Sequence, residues 1–283
     1  DDQVAIVTGA GGGLGKEHAL GLARRGAKVV VNDLGGGVDG SGASDAAKAV
    51  VDQIISEGGE AIANGASVTD LEAVQAMVNE AKEKWGRIDI LVNNAGILRD
   101  KSFHKDTIES FNTVMDVHFQ GTLNCTHTVY PIMREQEFGR IIFTSSSSGV
   151  FGNFGQANYG SAKMAMVGLM NTLKLEGQKY NVFTNSITPV AYTRMTEGLI
   201  PEDFGKNMQP EHVTPAVLYL HELSHEKNEH HKNLGSFSWN KWFALLSSTF
   251  LIKILSFSKW KQQFKLKRLC FYHSMKNCAL FNN

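Results

Sequence analysis

The chain has 283 residues, 42% of them hydrophobic, enough for a single α/β domain with its own core. Lys and Arg number 28, as do Asp and Glu, so the formal net charge is zero and no nucleic-acid partner is expected. The three cysteines, Cys125, Cys270 and Cys278, make no CxxC pair. A disulfide framework or a zinc site is therefore not expected, and a reducing compartment is the default.

The neutral total hides an asymmetry. Residues 224–283 hold ten Lys and Arg against two Glu, a net +8 that residues 1–223 balance with −8. Of the 28 glycines only Gly235 lies after position 223; Trp239, Trp242 and Trp260 lie there and all five prolines lie before it. Such a shift marks a boundary, with a domain over residues 1–222 and a basic, aromatic tail over 223–283. The start, Asp1-Asp2-Gln3-Val4, carries no initiator Met and no signal peptide, which suggests a fragment. The end, Leu280-Phe281-Asn282-Asn283, is not a peroxisomal address, so no targeting signal is visible. The longest apolar stretch, Trp242 to Phe257, is too short and too polar for a membrane span, and membrane contact is not expected.

Val4-Ala5-Ile6-Val7 reads as a buried strand running into glycines. A helix over 14–25 closes at Gly26, and Lys28–Asn32 is a second buried strand. Residues 44–57 read as a helix stopped by Gly58-Gly59, 61–63 as a weak strand, and 70–85 as a helix. Ile88–Val92 is the fourth strand, 106–134 one or two helices, and Arg140–Thr144 the fifth strand. A long helix over 157–180 leads to a sixth strand, Val182–Ile187. Strand and helix alternate about every 25 residues, which predicts a Rossmann-type, doubly wound parallel sheet.

The first strand enters Thr8-Gly9-Ala10-Gly11-Gly12-Gly13-Leu14-Gly15. Glycine permits positive φ and lets the backbone approach a pyrophosphate, and the helix behind it offers free N–H groups and a positive dipole end. A glycine string alone is weak evidence. Strand before, helix after and an acid about 20 residues on, here Asp33, complete a dinucleotide fingerprint. Asp33 can accept hydrogen bonds from the adenosine ribose and would repel a 2′-phosphate, so NAD is expected rather than NADP. The alternative is an Asp that merely opens the glycine-rich loop 35–42. Asn93-Asn94-Ala95-Gly96 follows the fourth strand at the ligand-binding edge, and by itself an ordinary turn would fit as well.

Tyr159 and Lys163 stand at i and i+4 in a helical stretch and share a face. Ser146 lies 13 residues earlier, just past the fifth strand. A free Tyr has a pKa about three units too high for a base at neutral pH. A nearby ammonium in a partly dry site can supply the roughly 4 kcal/mol needed, and Lys163 is the expected source. Ser146 can hydrogen-bond a substrate oxygen. Tyr-x-x-x-Lys alone is a common accident; with the glycine loop and the serine it becomes specific.

TGAGGGLG, NNAG, Ser146 and YGSAK together resemble the short-chain dehydrogenase/reductase family in order and spacing. The resemblance implies Tyr159 as general acid/base, Lys163 as the group that lowers its pKa and holds the nicotinamide ribose, and Ser146 as the carbonyl polariser. It also implies backbone contacts to the cofactor at Gly13, Leu14, Asn94 and Gly96, with Gly9, Gly15, Ser67, Val68 and Thr193 in the same cofactor set. NDLGGG (32–37), NNAGILRDKSF (93–103) and GRIIFTSSSSGVFGNFGQANYGSAK (139–163) are similar to the (3R)-hydroxyacyl-CoA dehydrogenase units of peroxisomal multifunctional enzymes. That implies an acyl-CoA substrate, a peroxisomal location and a homodimer through helices 106–134 and 157–180. His118 stands where many family members have a catalytic Asn; it either serves the proton relay or packs the active helix.

The resemblance covers residues 3–222 and has three departures. Ala66 replaces an Asp before Ser67-Val68, which weakens an expected adenine contact. Pro189-Val190 replaces Pro-Gly or Pro-Asn, altering the loop expected over the nicotinamide. After Glu222 the expected final strand is missing or altered. A divergent tail, a basic membrane-surface segment and translated non-coding sequence all fit residues 236–283, and the abrupt loss of Gly and Pro favours the last. The leading expectation is oxidation of (3R)-hydroxyacyl-CoA with NAD. A 3-ketoacyl reductase, a hydroxysteroid dehydrogenase and a chain inactivated by its C-terminus are the alternatives.

Overall fold

β1 (Val4–Thr8) is apolar at four consecutive positions and buried at all five, as only a strand covered on both faces can be. Its pleat sends Ala5 and Val7 into one core layer and Val4 and Ile6 into the other. In chain order there follow α1 (Gly13–Arg24), β2 (Lys28–Asn32), α2 (Ala46–Ser56), β3 (Glu60–Asn64), α3 (Leu71–Trp85) and β4 (Ile90–Asn93). Then come α4 (Ile108–Met115), α5 (Gly121–Glu135), β5 (Gly139–Thr144), α6 (Ser147–Phe151), α7 (Ala157–Gly177), β6 (Val182–Ile187) and α8 (Thr214–Glu222). This computed structural model describes residues 2–40, 45–193, 195–196, 205 and 207–222. The tail from 223 onward, the question of a final strand beyond Glu222 and the proposed boundary after it lie outside the described residues.

The strands form one parallel six-stranded sheet in the order β3-β2-β1-β4-β5-β6. Helices α1, α2 and α8 cover one face through Ala19, Leu22, Val50, Ile54 and Val217. Helices α3, α5 and α7 cover the other through Val74, Met77, Val129, Met133 and Met166. The order reverses between β1 and β4, and the crevice beyond the carboxyl ends of those strands is where an open α/β sheet binds ligand. Every motif singled out above, from Gly9 to Tyr159, leaves the sheet on that edge.

Local signals fix the boundaries. Asp70 caps α3 by accepting from Ala73 N–H at 3.0 Å, and Gly86 ends it with φ 81°. The stretch 106–134 resolves into α4 and α5 joined by a π turn, Asp116–Gln120, which carries His118. Helix 157–180 ends at Gly177 and continues as a 3-10 turn. β4 starts at Ile90 rather than Ile88. Asp89, fully buried, instead accepts from Val4 N–H at 2.9 Å and takes both guanidinium contacts of Arg87.

Candidate active site

The glycine loop leaves β1 and enters α1 at Gly13, where φ is +52°. Gly12 caps α1 without a side-chain hydrogen bond, and no acid stands in the first turn, so the helix N-terminus keeps its N–H groups for an anion. Gly15 has another reason to be glycine: a Cβ there would overlap the Gly9 carbonyl and the Asn94 amide. Asn94 Nδ2 donates to the carbonyls of Thr8 and Gly9 at 3.0 Å each, and its own N–H donates to Thr8 Oγ1 at 3.0 Å. The turn after β4 is thus stitched to the turn after β1.

A cavity of about 250 Å³ opens along this edge. Of the residues named from sequence, Gly9, Gly13, Leu14, Asp33, Ser67, Val68, Asn94, Gly96 and Thr193 line it; Gly15, Ser146, Tyr159, Lys163 and His118 do not. Ala66 lines it as well, in place of the expected carboxylate. Asp33 accepts from Gly11 N–H through Oδ2 and from Gly35 N–H through Oδ1, both at 2.7 Å. Each oxygen keeps lone-pair capacity toward the cavity, so the acid both holds the loop and can receive ribose hydroxyls. The helix N-terminus, the glycine floor and this carboxylate together suit a dinucleotide.

The chemical centre lies beyond β5. Ser146 caps α6, its Oγ accepting from Ser148 N–H at 3.2 Å. Its hydroxyl neighbours the Tyr159 phenol and acts to lower the phenol pKa. His118 is buried, and its ring meets that of Tyr159 edge-on with centroids 5.1 Å apart. His118 Nε2 sits on the backbone of Ile97, 2.8 Å from O and 3.1 Å from N, while Nδ1 is buried with no partner. Gly96 is required here, because a Cβ would overlap the imidazole.

Lys163 departs from expectation. Its Nζ is buried and donates to the Thr144 carbonyl at 2.6 Å, standing 5.4 Å from the centroid of the Tyr159 ring. Burial pushes its pKa down to about 7. Tyr159 is shifted up, by burial first and also by the Asp100 charge, with the neighbouring Ser146 hydroxyl opposing. The expected lowering of Tyr159 by Lys163 is therefore reversed in this structure: the ammonium is desolvated and committed to a backbone carbonyl. Burial, with the Lys163 charge second, holds His118 well below its usual pKa, so its imidazole is neutral.

One set of residues escaped the sequence reading. Asp100 and Asp106 reach the segment before Tyr159 through Gln156 and Asn158. No local pattern announces contacts 56 and 52 residues apart. Cys125, by contrast, is inert, its thiol pushed up to about 12 by burial.

Comparison with known proteins agrees with this geometry. The family model described as short chain dehydrogenase matches residues 3–203. Peroxisomal multifunctional enzyme type 2 of Drosophila melanogaster is 52% identical over 229 residues, 81% of this chain; the chain spans only 38% of that relative's length. A short chain dehydrogenase from Mycobacterium avium superposes with TM-score 0.70 at 42% identity, covering 78% of each chain. A 7α-hydroxysteroid dehydrogenase complexed with NADH and 7-oxo glycochenodeoxycholic acid superposes with TM-score 0.71 at 31% identity, covering 79% of this chain and 89% of its own. This chain is a member of the short-chain dehydrogenase family.

Proposed function

We propose that the chain oxidises (3R)-hydroxyacyl-CoA to 3-ketoacyl-CoA with NAD. The observation that carries the chemistry is the grouping of Ser146, Tyr159 and Lys163, with Lys163 Nζ 5.4 Å from the Tyr159 ring centroid, near a cavity walled by Asp33. NAD, when bound, supplies the acceptor for hydride from carbon 3. Ser146 Oγ holds the substrate oxygen, and Tyr159, a neutral phenol, gives its own proton to the uncharged amine of Lys163 as its Oη takes the hydroxyl proton and that oxygen becomes a carbonyl. Lys163, near neutrality in pKa, needs little free energy to change charge at physiological pH and can pass that proton on. His118, neutral and wedged under Gly96, holds the phenol ring from its edge.

The acyl-CoA assignment rests on the likeness to the Drosophila enzyme and on the loops before Tyr159. Phe103, Phe151 and Phe154 are 74%, 68% and 91% exposed there, an apolar surface suited to an acyl chain. The hydroxysteroid reading is favoured only by the neighbour with a bound bile-acid derivative. Production of NADH from (3R)-hydroxyacyl-CoA, and none from the (3S) isomer, is the expected result. Turnover of a hydroxysteroid alone would replace the proposal with the second reading.

The likeness also supports a peroxisomal location, and we propose a homodimer through α4–α5 and α7. Along α7, Met164 and Leu175 are exposed and a Cβ at Gly168 would meet nothing. Met164→Glu should turn a dimer into a monomer by sedimentation; a wild-type monomer would refute the assembly.

A further inference from the structure

The segment that delivers Tyr159 is fastened to a loop that the cofactor cavity does not explain. Asn158 is fully buried although its side chain is an amide. Its Nδ2 donates to the Arg99 carbonyl and to Asp106 Oδ2, both at 3.0 Å, and its Oδ1 accepts the Tyr159 N–H at 2.6 Å. That N–H lies in the first turn of α7, where the backbone has no helical acceptor and the N-cap residue, Gln156, supplies no side-chain bond. Two residues earlier Gln156 donates to Asp100 Oδ2 at 2.7 Å, and Lys101 N–H donates to the Gly155 carbonyl at 2.8 Å. Two carboxylates of one loop thus hold two amides immediately ahead of the catalytic tyrosine.

We propose that the Asp106–Asn158 pair is a positioning device for Tyr159. It fixes the first turn of α7 so that the phenol stays against Ser146 and the edge of His118. The inference rests on the reading of Tyr159 as the proton-transfer group. The arrangement is not the cheapest way to pack a loop on a helix. Asp106 Oδ1 is buried with no partner, so one oxygen of the carboxylate is left unsatisfied while the other is aimed at Asn158. Burying a carboxylate in this way costs free energy that an apolar contact would not. What the carboxylate adds is direction: a charge-assisted hydrogen bond is short and angle-dependent, and it orients the Asn158 amide so that Oδ1 faces the Tyr159 N–H. Displacing a reacting group by about 1 Å can lower turnover about a hundredfold, which makes such direction worth its cost.

Two single variants and one rescue test this. Asp106→Ala removes the acceptor. Asn158→Asp keeps shape and the acceptor for Tyr159 N–H but sets carboxylate against carboxylate. Asp106→Asn added to Asn158→Asp restores a donor–acceptor pair with the roles exchanged. The first readout is titration of the Tyr159 phenol by 13C-tyrosine NMR, its resonance assigned by loss in Tyr159→Phe. The groups facing that phenol are Ser146 from α6, Asp100 from the loop, His118 from the π turn and Lys163 one turn on. The second is kcat against KM with (3R)-hydroxyacyl-CoA and NAD.

In Asp106→Ala the phenol midpoint should fall by about half a pH unit or more as water reaches it. In both single variants kcat should drop about tenfold to a hundredfold with KM little changed. The Asp106→Asn addition should recover the part of the loss that carboxylate repulsion causes, while the Arg99 carbonyl stays without its Asn158 donor. Folded variants with the wild-type phenol midpoint and kcat, or a double variant no better than Asn158→Asp, would overturn the proposal. If one single variant fails to fold, the other decides by the same criteria. If the wild-type chain has no turnover with the acyl-CoA, the substrate reading fails, and the phenol titration alone still decides the positioning role.

Discussion

Replacing Asp33 by alanine tests the cofactor assignment quantitatively. The carboxylate joins the glycine loop to the loop after β2, accepting Gly11 N–H and Gly35 N–H at 2.7 Å each. Hydrogen bonds to a charged group contribute about 1.5–3 kcal/mol apiece, but water can reach this half-buried site and replace part of that. We therefore expect NADH affinity to fall about 10–100-fold in Asp33→Ala, equivalent to about 1.4–2.8 kcal/mol. For NADPH the same carboxylate is repulsive. Two unit charges 4 Å apart at an effective dielectric constant of 20 interact by about 4 kcal/mol, and partial exposure and salt bring this to about 2–3 kcal/mol. The wild-type chain should thus prefer NADH by about 30–150-fold, and Asp33→Ala should bring the ratio near unity. Fluorescence titration with both reduced nucleotides measures each constant. Wild-type protein that binds NADPH as tightly as NADH, or a ratio unchanged in Asp33→Ala, would refute the argument.

Gly96→Ala places a Cβ inside the His118 ring, so it should lower both stability and turnover, by about 1–3 kcal/mol in the former. Chemical denaturation measures it, and a variant as stable as wild type would show that the π turn yields freely. His18, fully buried against Thr214 with Nδ1 to Oγ1 at 3.0 Å, has its pKa pushed down to about 3 by burial. Its folded pKa lies below its unfolded value. Its contribution is therefore fully present above about pH 6.5 and lost as pH falls toward 3, at up to about 1.4 kcal/mol per pH unit. His18→Gln should reduce the slope of stability between pH 7 and 5 by about one proton, leaving the part due to His118. An unchanged slope in urea titrations would contradict this.

The sheet was legible because its signals are local. Val4–Val7 and Val29–Val31 can only be strands buried on both faces, and Gly13 behind the first of them marks the cofactor turn. Tyr159 and Lys163 were legible from a spacing of four in a helix. Other features depend on the fold. Ser146 sits in a run of four serines, 145–148, and only the structure shows it capping α6 beside Tyr159. Gly96 reads as a turn residue or a cofactor contact, and only the packed structure shows His118 beneath it. The Lys163 expectation erred in physics: i+4 spacing puts two side chains on one face but says nothing of which acceptor the ammonium takes. Here the Thr144 carbonyl takes it, and desolvation dominates both partners. Asn158 and Asp106 carry no spacing signal, since chain topology alone brings them together.

The central claim is that the Tyr159 oxygen moves the proton. Tyr159→Phe keeps the ring, and with it the edge contact to His118, while removing that oxygen. General acid–base steps contribute about 10²–10⁴-fold, so turnover of (3R)-hydroxyacyl-CoA with NAD should fall by that factor while NADH binding, measured by fluorescence, stays within about twofold. Undiminished turnover by purified, folded Tyr159→Phe protein would contradict the account.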